Sequence, residues 1–438
     1  MTKTSNLNLI TKKICELFEY TIPGEWGIEG DPENDIPVLR STNFTNEGRI
    51  DYSNLAFRKI DPKRLALRLV NKGTILIEKS GGSPSQPAGR VVYCDEDFNG
   101  SASNFIEIAK TNNLFCPKYV FFLLHHLYQI GLVLKYQQQT TGIINFKLEQ
   151  YKNEEVLLPR DRKEQTQIAA ILSTIDRAIE QTEAIIAKQQ RIKTGLMQDL
   201  LTKGIDEDGN VRSEATHKFK DSPLGRIPVE WEVEKLDSLL IEKRYGISTS
   251  LSEDPIGIPV LRMNNLVKGE IDFTDLKYSE REDARKLTLD DGDVLFNRTN
   301  SIDYVGRTAI YRYSGKPVSF ASYLVRLVPD NARLCPEYLN LCLNDGENQI
   351  RVKQFATIGV QQANVNPTNL GTLLLAIPQK ITEQKQIIED ISASIDCQRG
   401  TNTNLRKLQS LKIGLMQDLL TGNVRVTALL NDQETANI

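Results

Sequence analysis

The sequence has few of the residues that build metal and redox sites. Its 438 residues include three histidines and six cysteines, and no two cysteines form a Cys-x-x-Cys pair. A zinc site is therefore not expected, and the cysteines are predicted to be buried small apolar residues. No apolar run reaches the eighteen or so residues that a membrane helix needs, and the N-terminus shows no signal-peptide pattern. These features together predict a cytoplasmic protein.

Nucleotide-binding motifs are also missing from the sequence. It contains no Gly-x-x-x-x-Gly-Lys-Ser/Thr phosphate loop, and the segment closest to an Asn-Pro-Pro-Tyr methyltransferase motif is Asn366-Pro367-Thr368-Asn369. We therefore expect no cofactor on this chain. The net charge of -3 argues against a protein that coats nucleic acid indiscriminately, but it permits a specific binder with its basic residues on one face.

The chain contains an internal repeat. Eight identical residues, Gly-Leu-Met-Gln-Asp-Leu-Leu-Thr, begin at Gly195 and again at Gly414, 219 positions later. Other matches keep the same order, such as 36–40 with 258–262. Duplication of the whole chain predicts two similar units related by a pseudo-two-fold axis, an arrangement that suits duplex DNA as a partner.

Two long helices are predicted around this repeat, at about Glu164–Leu201 and Glu383–Leu420, with C-cap glycines at Gly204 and Gly422. Their heptad seams favour an antiparallel coiled coil, a rod of roughly 57 Å that would hold the two units apart. The alternative is two separate amphipathic helices, each packed on its own domain. The seams comprise Ile168, Leu172, Ile175, Ile179, Thr182, Ile186, Gln189, Lys193, Leu196 and Leu200, then Ile387, Ile391, Ser394, Gln398, Thr401, Leu405, Leu408, Lys412, Leu415 and Leu419.

Each globular unit is predicted to be a mixed α and β domain. β-rich runs are expected at 70–79 with 89–94 and at 287–298 with 306–311, and one helix per unit at 119–136 and at 338–355. The segment from Ile205 to Pro228 is expected to be an irregular connector because its polar and turn-forming residues have no apolar period. The fold class is thus α+β, with two similar domains joined by the coiled coil.

The chain resembles the specificity subunits of type I restriction-modification enzymes. The resemblance rests on Leu157-Leu158-Pro159 before Glu164-Gln165, on its echo at Ile377-Pro378 before Glu383-Gln384, and on the segment from Leu200 to Trp231. It covers nearly the whole chain. The first unit departs from the pattern because Ile22-Pro23-Gly24-Glu25-Trp26 does not open the domain in the register of Ile227 to Trp231.

This resemblance implies a noncatalytic subunit that recognises a bipartite DNA target. It implies two modification subunits that use S-adenosylmethionine to methylate adenine and restriction subunits that use ATP and Mg²⁺, so cofactors belong to the partners only. The implied domains are recognition domain 1 (1–160), helix 1 (161–203), a linker (204–234), recognition domain 2 (235–379), helix 2 (380–422) and a C-terminal tail (423–438).

Residues that contact DNA are predicted from side-chain chemistry. Arg and Lys read guanine, Asn and Gln read adenine, and Ser, Thr and backbone amides hold phosphates. A solvated or turn-stabilising role is the alternative for each. Arg90 and Arg307 occur in both copies, so they more plausibly hold the fold or a phosphate. The candidates are Arg40, Asn43, Lys79, Ser80, Ser83, Gln86, Arg90, Gln139, Thr140, Thr141, Asn145 and Lys147, then Arg262, Asn265, Asn297, Arg298, Asn300, Arg307, Thr357, Gln361, Gln362 and Asn364.

The repeated peptide extends its identity to residues off the seam, which are Gln198, Asp199, Gln417 and Asp418. These predict a docking site for two identical modification subunits, and the alternative is a recent duplication that has not yet diverged. Two other functions remain open. A compact methyltransferase or nuclease with its own recognition domains would bind S-adenosylmethionine, and a protein-only coiled-coil scaffold would show no salt-dependent DNA affinity.

Overall fold

A computed structural model describes residues 8–83, 85–140, 143–360 and 362–430. The chain divides into two compact units, residues 1–184 with 403–438, and residues 185–402. Each unit therefore has a globular body and half of each of two long helices.

The body of the first unit is a set of small sheets packed on one helix. A four-stranded antiparallel sheet has the order β2-β10-β6-β8, and two others have the orders β11-β12-β7 and β3-β5-β4-β9. The strands are β1 (Leu9–Lys13), β2 (Phe18–Pro23), β3 (Ile28–Glu29), β4 (Ile36–Leu39), β5 (Ala56–Lys59), β6 (Ile75–Glu78), β7 (Ser80–Gly82), β8 (Val91–Tyr93), β9 (Ser101–Ala102), β10 (Ile106–Thr111), β11 (Gln137–Thr140), β12 (Ile143–Phe146) and β13 (Glu155–Pro159). The short helices are α1 (Pro62–Ala66), α2 (Pro117–Gln129) and α3 (Leu148–Tyr151).

The burial of apolar side chains accounts for the positions of strand β6 and helix α2. All four residues of β6 are buried, so both faces of this strand are covered, and three of the four are apolar. Helix α2 begins at Pro117, where proline is favoured, and buries Tyr119 and Phe122 in the core of the first unit. The predicted helix at 119–136 is thus confirmed up to Gln129 and continues as a 3-10 turn at Leu132–Tyr136 after a left-handed Gly131.

The first long helix, α4 (Arg162–Thr202), follows β13 directly, and the second unit repeats the plan. Its four-stranded sheet has the order β17-β26-β22-β24, and its small sheet has the order β23-β28-β27. The strands are β14 (Phe219–Ser222), β15 (Gly225–Pro228), β16 (Trp231–Lys235), β17 (Leu240–Tyr245), β18 (Ile258–Leu261), β19 (Leu266–Val267), β20 (Glu270–Ile271), β21 (Lys277–Ser279), β22 (Val294–Asn297), β23 (Thr299–Asn300), β24 (Thr308–Ile310), β25 (Ser319–Phe320), β26 (Leu324–Pro329), β27 (Ala356–Ile358), β28 (Ala363–Val365) and β29 (Leu374–Pro378). The helices are α5 (Glu282–Lys286), α6 (Pro336–Asn344), α7 (Gly346–Gln354), α8 (Pro367–Leu370) and α9 (Ile381–Leu420).

The predicted long helices are confirmed, and within each unit their halves run antiparallel. In the first unit Lys412 Nζ lies 2.6 Å from Asp176 Oδ1, while Arg425, beyond the end of α9, reaches Glu164 near the start of α4. Every predicted seam position is buried or half-buried. Gly204 and Gly422 have φ of 62° and 77°, as C-cap glycines should.

The polar middle of the seam is hydrogen-bonded across the helices in the second unit. Gln189 Nε2 donates to Thr401 Oγ1 at 3.0 Å, and Gln398 Nε2 donates to Gln190 Oε1 at 3.0 Å. These bonds pair the amide nitrogens of Gln189 and Gln398 across the two helices, whereas the buried Gln189 Oε1 has no hydrogen-bond partner among the described residues.

The irregular connector is a wrong prediction between Phe219 and Pro228. This segment forms the β14–β15 hairpin, whose two-residue turn is closed by Ser222 Oγ donating to Gly225 O at 2.6 Å. The prediction failed because the two strands have only four residues each, so that together with their turn residues they have the composition of a loop. Buried Trp231 then opens β16, which pairs with β29 inside the second body.

Two further expectations are corrected. The helix expected at 338–355 is two helices, because Asp345 has an extended backbone and caps α7 by accepting bonds from Glu347 N and Asn348 N. Cys15 and Cys397 are exposed, whereas the other four cysteines are buried. The first body opens with β1, whose Leu9 pairs with Pro159 as Trp231 pairs with Pro378, so Leu9 and not Trp26 occupies the position of Trp231.

Candidate DNA interface

In the first unit the two predicted loops meet on one small sheet. Strand β7 carries Ser80, and its neighbour β12 carries Asn145. Ser80 Oγ donates to Asn145 Oδ1 at 2.6 Å, and Phe146 N donates to the carbonyl of Lys79 at 2.8 Å. We call β7, β11 and β12 the first small sheet. It joins residues that lie 65 positions apart in the chain.

Of the predicted contact residues at this sheet, Gln139 on β11 and Lys147 directly after β12 are exposed. Lys79 is half-buried, and its Nζ lies 2.9 Å from the buried carboxylate of Glu107. The Thr140 side chain and all of Thr141 lie outside the described residues. The sheet therefore presents at least one amide and one cation to solvent.

Ser83 and Gln86 lie on the loop that follows β7. Ser83 Oγ is 3.1 Å from Ser85 Oγ, and Gln86 Nε2 donates to Asn46 Oδ1 at 2.6 Å. Both side chains are half-buried. Their hydrogen bonds keep this loop beside the turn at Asn46.

The second unit builds the same kind of surface from different residues. In the second small sheet, formed by β23, β27 and β28, Asn364 Nδ2 donates to Thr299 Oγ1 at 3.1 Å. Arg298 Nη2 donates to Asn364 Oδ1 at 3.1 Å, and its guanidinium lies 5.1 Å from the Tyr245 ring centre. The predicted loops of this unit therefore also converge.

Around the second small sheet, Thr357 and Gln362 are exposed, and Asn300 is half-buried with its Oδ1 accepting from Ser301 N at 2.8 Å. Gln361 lies outside the described residues. The Arg307 guanidinium lies 4.0 Å from the Tyr304 ring centre. Polar and aromatic groups are thus combined at this surface, as nucleic-acid surfaces require.

Arg90 is turned inward and does not belong to this surface. Its guanidinium donates to Glu78, Phe44 O and Ser41 O, with Nε 2.9 Å from Glu78 Oε2, and the residue is 6% exposed. Burial alone would lower the pKa of Arg90, but the hydrogen bonds and the charge of Glu78 raise it. Arg90 therefore holds the fold.

Three asparagines among the candidates are likewise buried. Asn43 Nδ2 donates to Asp51 O at 2.9 Å, Asn265 Nδ2 donates to Asp272 O at 2.8 Å, and Asn297 Nδ2 donates to Tyr304 O at 3.1 Å. These side chains close turns inside the body, so the predicted DNA contact is corrected to a structural role.

The two arginines that precede these turns also form hydrogen bonds within the body. Arg40 Nη2 donates to Asn54 O at 2.9 Å, and Arg262 Nη2 donates to Asp275 O at 3.1 Å. Both side chains are half-buried, so only part of each guanidinium faces solvent. Positions shared by the two copies are therefore mostly structural, and the divergent loop positions carry the exposed groups.

Sequence reasoning missed the tyrosines of the second unit. Tyr245, Tyr304 and Tyr323 are about half exposed, and the first two lie against Arg298 and Arg307. A search for hydrogen-bonding side chains alone passes over aromatic residues, although rings stack on bases and support arginine. The signal that could have found Tyr245 is its place at the end of strand β17, whose last two residues are exposed.

The repeated peptide forms the last two turns of each long helix. Gln198, Gln417 and Asp418 are exposed, and Asp199 is half-buried with its carboxylate 2.8 Å from Lys203 Nζ.

Over the part of the chain that the structure describes, no helix is long and apolar enough to cross a membrane. The same residues contain no group of three or more metal-ligating side chains.

Comparison with known proteins identifies the family. The chain matches the type I restriction modification DNA specificity domain twice, over residues 10–189 and 228–410. The putative type I restriction enzyme MjaX specificity subunit of Methanocaldococcus jannaschii is 34% identical over 212 residues, which is 47% of this chain and 49% of that relative. That alignment spans about half of the relative's length.

Other relatives align over most of their length. The MjaVIII specificity subunit of the same organism is 25% identical over 92% of this chain and 89% of its own. The EcoKI specificity subunit of Escherichia coli K12 is 23% identical over 89% and 82%.

Solved structures share the fold at low sequence identity. The type I S subunit from M. genitalium has a TM-score of 0.56 at 16% identity, covering 96% of this chain and 98% of that one. A chain of a type I system solved for its complex assembly and conformational transition has a TM-score of 0.59 at 14% identity, covering 97% and 100%. The chain thus belongs to the type I restriction-modification DNA specificity family, as a sequence-specific DNA-recognition subunit that is not itself catalytic.

Proposed function

We propose that this chain recognises a DNA sequence made of two half-sites separated by an unread spacer. Each small sheet would contact one half-site, and the long helices would set the spacer. The observation that carries this proposal is the convergence of divergent polar loops on one small sheet in each unit. Different side chains on an equivalent sheet suit two different half-sites.

We further propose that catalysis is supplied by partners. Two modification subunits would use S-adenosylmethionine to methylate adenine, and restriction subunits would use ATP and Mg²⁺. Because the target is cellular DNA, we place the assembly in the cytoplasm. The solved type I system with fold similarity to this chain supports such an assembly.

The first experiment is a genome-wide map of methylated adenine in the host with and without this gene. Loss of one split motif is expected, and it would reveal both half-sites and the spacer. Purified chain should then bind that motif with salt-dependent affinity. S-adenosylmethionine binding by the isolated chain would favour an enzyme instead, and DNA affinity that is missing at low salt would favour a protein-only scaffold.

The partner number is tested at the repeated peptide. Gln198→Ala with Asp199→Ala at one helix end, or Gln417→Ala with Asp418→Ala at the other, should each reduce the bound modification subunits from two to one in native mass spectrometry. The matched control is Gln386→Ala with Glu389→Ala, an exposed amide and carboxylate elsewhere on α9. Retention of two subunits in both double variants would contradict this docking site.

A further inference from the structure

In the first unit a loop of the body reaches across to the long helix. The loop turns at Gly48, which has φ of 84°. The next residue, Arg49, lies with Nε 3.2 Å from Glu180 Oε1 and Nη1 3.0 Å from Glu183 Oε2. One guanidinium therefore joins the body to two carboxylates one turn apart on α4.

The second unit has the same contact with its charges reversed. Glu270 occupies the place of Arg49 after Gly269, and it forms an ion pair with Arg399 of α9. Arg399 is 219 positions after Glu180, the offset of the internal repeat. Its Nη1 also lies 3.4 Å from Asp396 Oδ1. Both partners of the pair have changed sign between the copies, and the attraction has been kept.

A second pair nearby shows the same reversal. Lys118 Nζ lies 2.6 Å from Asp95 Oδ1 in the first unit, and Glu337 pairs with Arg312 in the second. If an ion pair had no effect on the protein, a change of sign in one partner would leave two like charges facing each other, and nothing would select a second change that restores the attraction. Compensated change at two positions instead indicates that contact between them matters.

These contacts border a cleft between body and helix. The cleft of the first unit has a volume of about 500 Å³ and includes Tyr52, Phe121 and Ser173 among its lining residues. The equivalent cleft of the second unit has about 790 Å³ and includes Phe273 and Ser392. The base of α4 is held by the packed core of the first unit, which includes Ile168 and Leu172. Beyond that core the cleft is open and does not resist tilting as a packed core does, so the ion pair on its border adds the restraint there.

The part of α4 between its first residue and Glu180 acts as a lever, and it is long enough for a small tilt to produce a displacement of one base pair. Glu180 lies 18 residues beyond Arg162, where α4 begins. At about 1.5 Å per residue this gives a lever of about 27 Å. A tilt of about 7° at its base moves the far end by about 3.4 Å, the rise of one base pair.

We infer that Arg49 with Glu180 and Glu183, and Glu270 with Arg399, are struts that fix the tilt of each body on its helix and thereby make the subunit selective for spacer length. The inference rests on the proposed bipartite target. The strut residues are positioning residues and do not read bases.

The test is a charge-reversal cycle in the full-length chain. Arg49→Glu should lower the preference for the native spacer over spacers one base pair longer or shorter by roughly three- to ten-fold, the effect of exposed pairs turned into repulsion. Glu180→Arg with Glu183→Arg should do the same, because Arg49 would then face two cations. Combining all three changes should restore the preference. Dissociation constants on the three DNAs provide the ratio.

Controls separate the strut from net charge and from folding. Lys110→Glu reverses an exposed charge of the same body that pairs with Glu19, so it matches the electrostatic loss without touching α4. It should weaken binding to all three DNAs alike. Spacer preference that stays unchanged in Arg49→Glu, or that is not restored by the triple change, would overturn the inference.

A DNA-free measurement distinguishes failure of the strut from failure of the proposed function. Spin labels at Lys59 of the body and Gln181 of α4, with Cys15→Ser and Cys397→Ser, report the body-to-helix distance. Arg49→Glu should broaden the distance distribution, and the triple change should narrow it. An unchanged width overturns the strut, whereas a broadened width in a chain that binds no DNA overturns the bipartite target alone.

Discussion

Arg425, beyond the end of the second long helix, donates from Nε to Glu164 Oε1 at 2.7 Å near the start of the first. The Glu164 side chain is 1% exposed. In the second unit Arg212 and Glu383 form the equivalent pair, with Nη2 3.1 Å from Oε2. In each unit the segment after one helix thus neutralises a buried carboxylate near the start of the other.

We expect Arg425→Ala to cost more stability than Arg212→Ala. Among the described residues the side-chain donors to Glu164 both come from Arg425, whereas Glu383 keeps bonds from Trp231 Nε1 and Ile205 N. Removing Arg425 should cost about 3 kcal/mol because it leaves a buried charge unpaired. Hydrogen exchange of each unit measures both losses. Arg226→Ala, at an exposed pair, is the control, and equal losses would refute the ranking.

Gly204→Ala should be much more harmful than Gly209→Ala. Both glycines have positive φ, of 62° and 83°, so alanine is strained at either, by about 1 kcal/mol. At Gly204 an added Cβ would also lie 2.3 Å from Glu383 Oε1 and 2.5 Å from Trp231 Cζ2, whereas nothing lies within 4 Å at Gly209. Thermal unfolding should show a loss at Gly204 larger by about 1–3 kcal/mol. Similar melting temperatures would mean that the cluster can move apart.

Buried His125 should make the first unit sensitive to acid. Burial first, then the charges of Lys412 and His126, lower the pKa of His125 to about 3. The unfolded chain takes up this proton near pH 6.5, so stability is complete above that pH and declines as pH falls toward 3. By pH 5 the loss is about 2 kcal/mol.

His125→Asn should remove this contribution, because the second unit has Asn344 at the equivalent position. Urea unfolding between pH 4 and 8 should show a shallower pH dependence for the variant. His126, whose pKa burial also lowers, is retained and supplies part of the remaining slope. Parallel pH profiles for variant and parent would show that His125 does not titrate in this way.

Arg298→Ala should weaken binding to the cognate DNA more than to unrelated DNA. Arg298 is held by Asn364 and Tyr245 beside the second small sheet. Loss of one base contact is expected to cost about 1–3 kcal/mol on the cognate site only. Arg281→Ala removes an exposed charge from helix α5's start and serves as the control. An equal loss on both DNAs would reassign Arg298 to the phosphate backbone.

Part of the candidate interface could be predicted from sequence. Gln139, Lys147, Thr357 and Gln362 were selected by residue type and are exposed. Arg90 was selected for the same reason and is buried, because its partner Glu78 lies in a strand whose residues are all covered. Residue type alone does not distinguish a cation that faces solvent from one that neutralises an internal carboxylate.

The sequence by itself determined the duplication, the two long helices with their C-cap glycines, and the mixed α and β bodies. These features can be predicted because they depend on the local spacing of apolar residues and on an internal repeat. Only the tertiary structure decided which side chains meet: Arg425 with Glu164, 261 positions apart, and Arg49 with the middle of α4. Such pairs depend on how sheets and helices pack, and packing brings together residues between which no spacing rule exists.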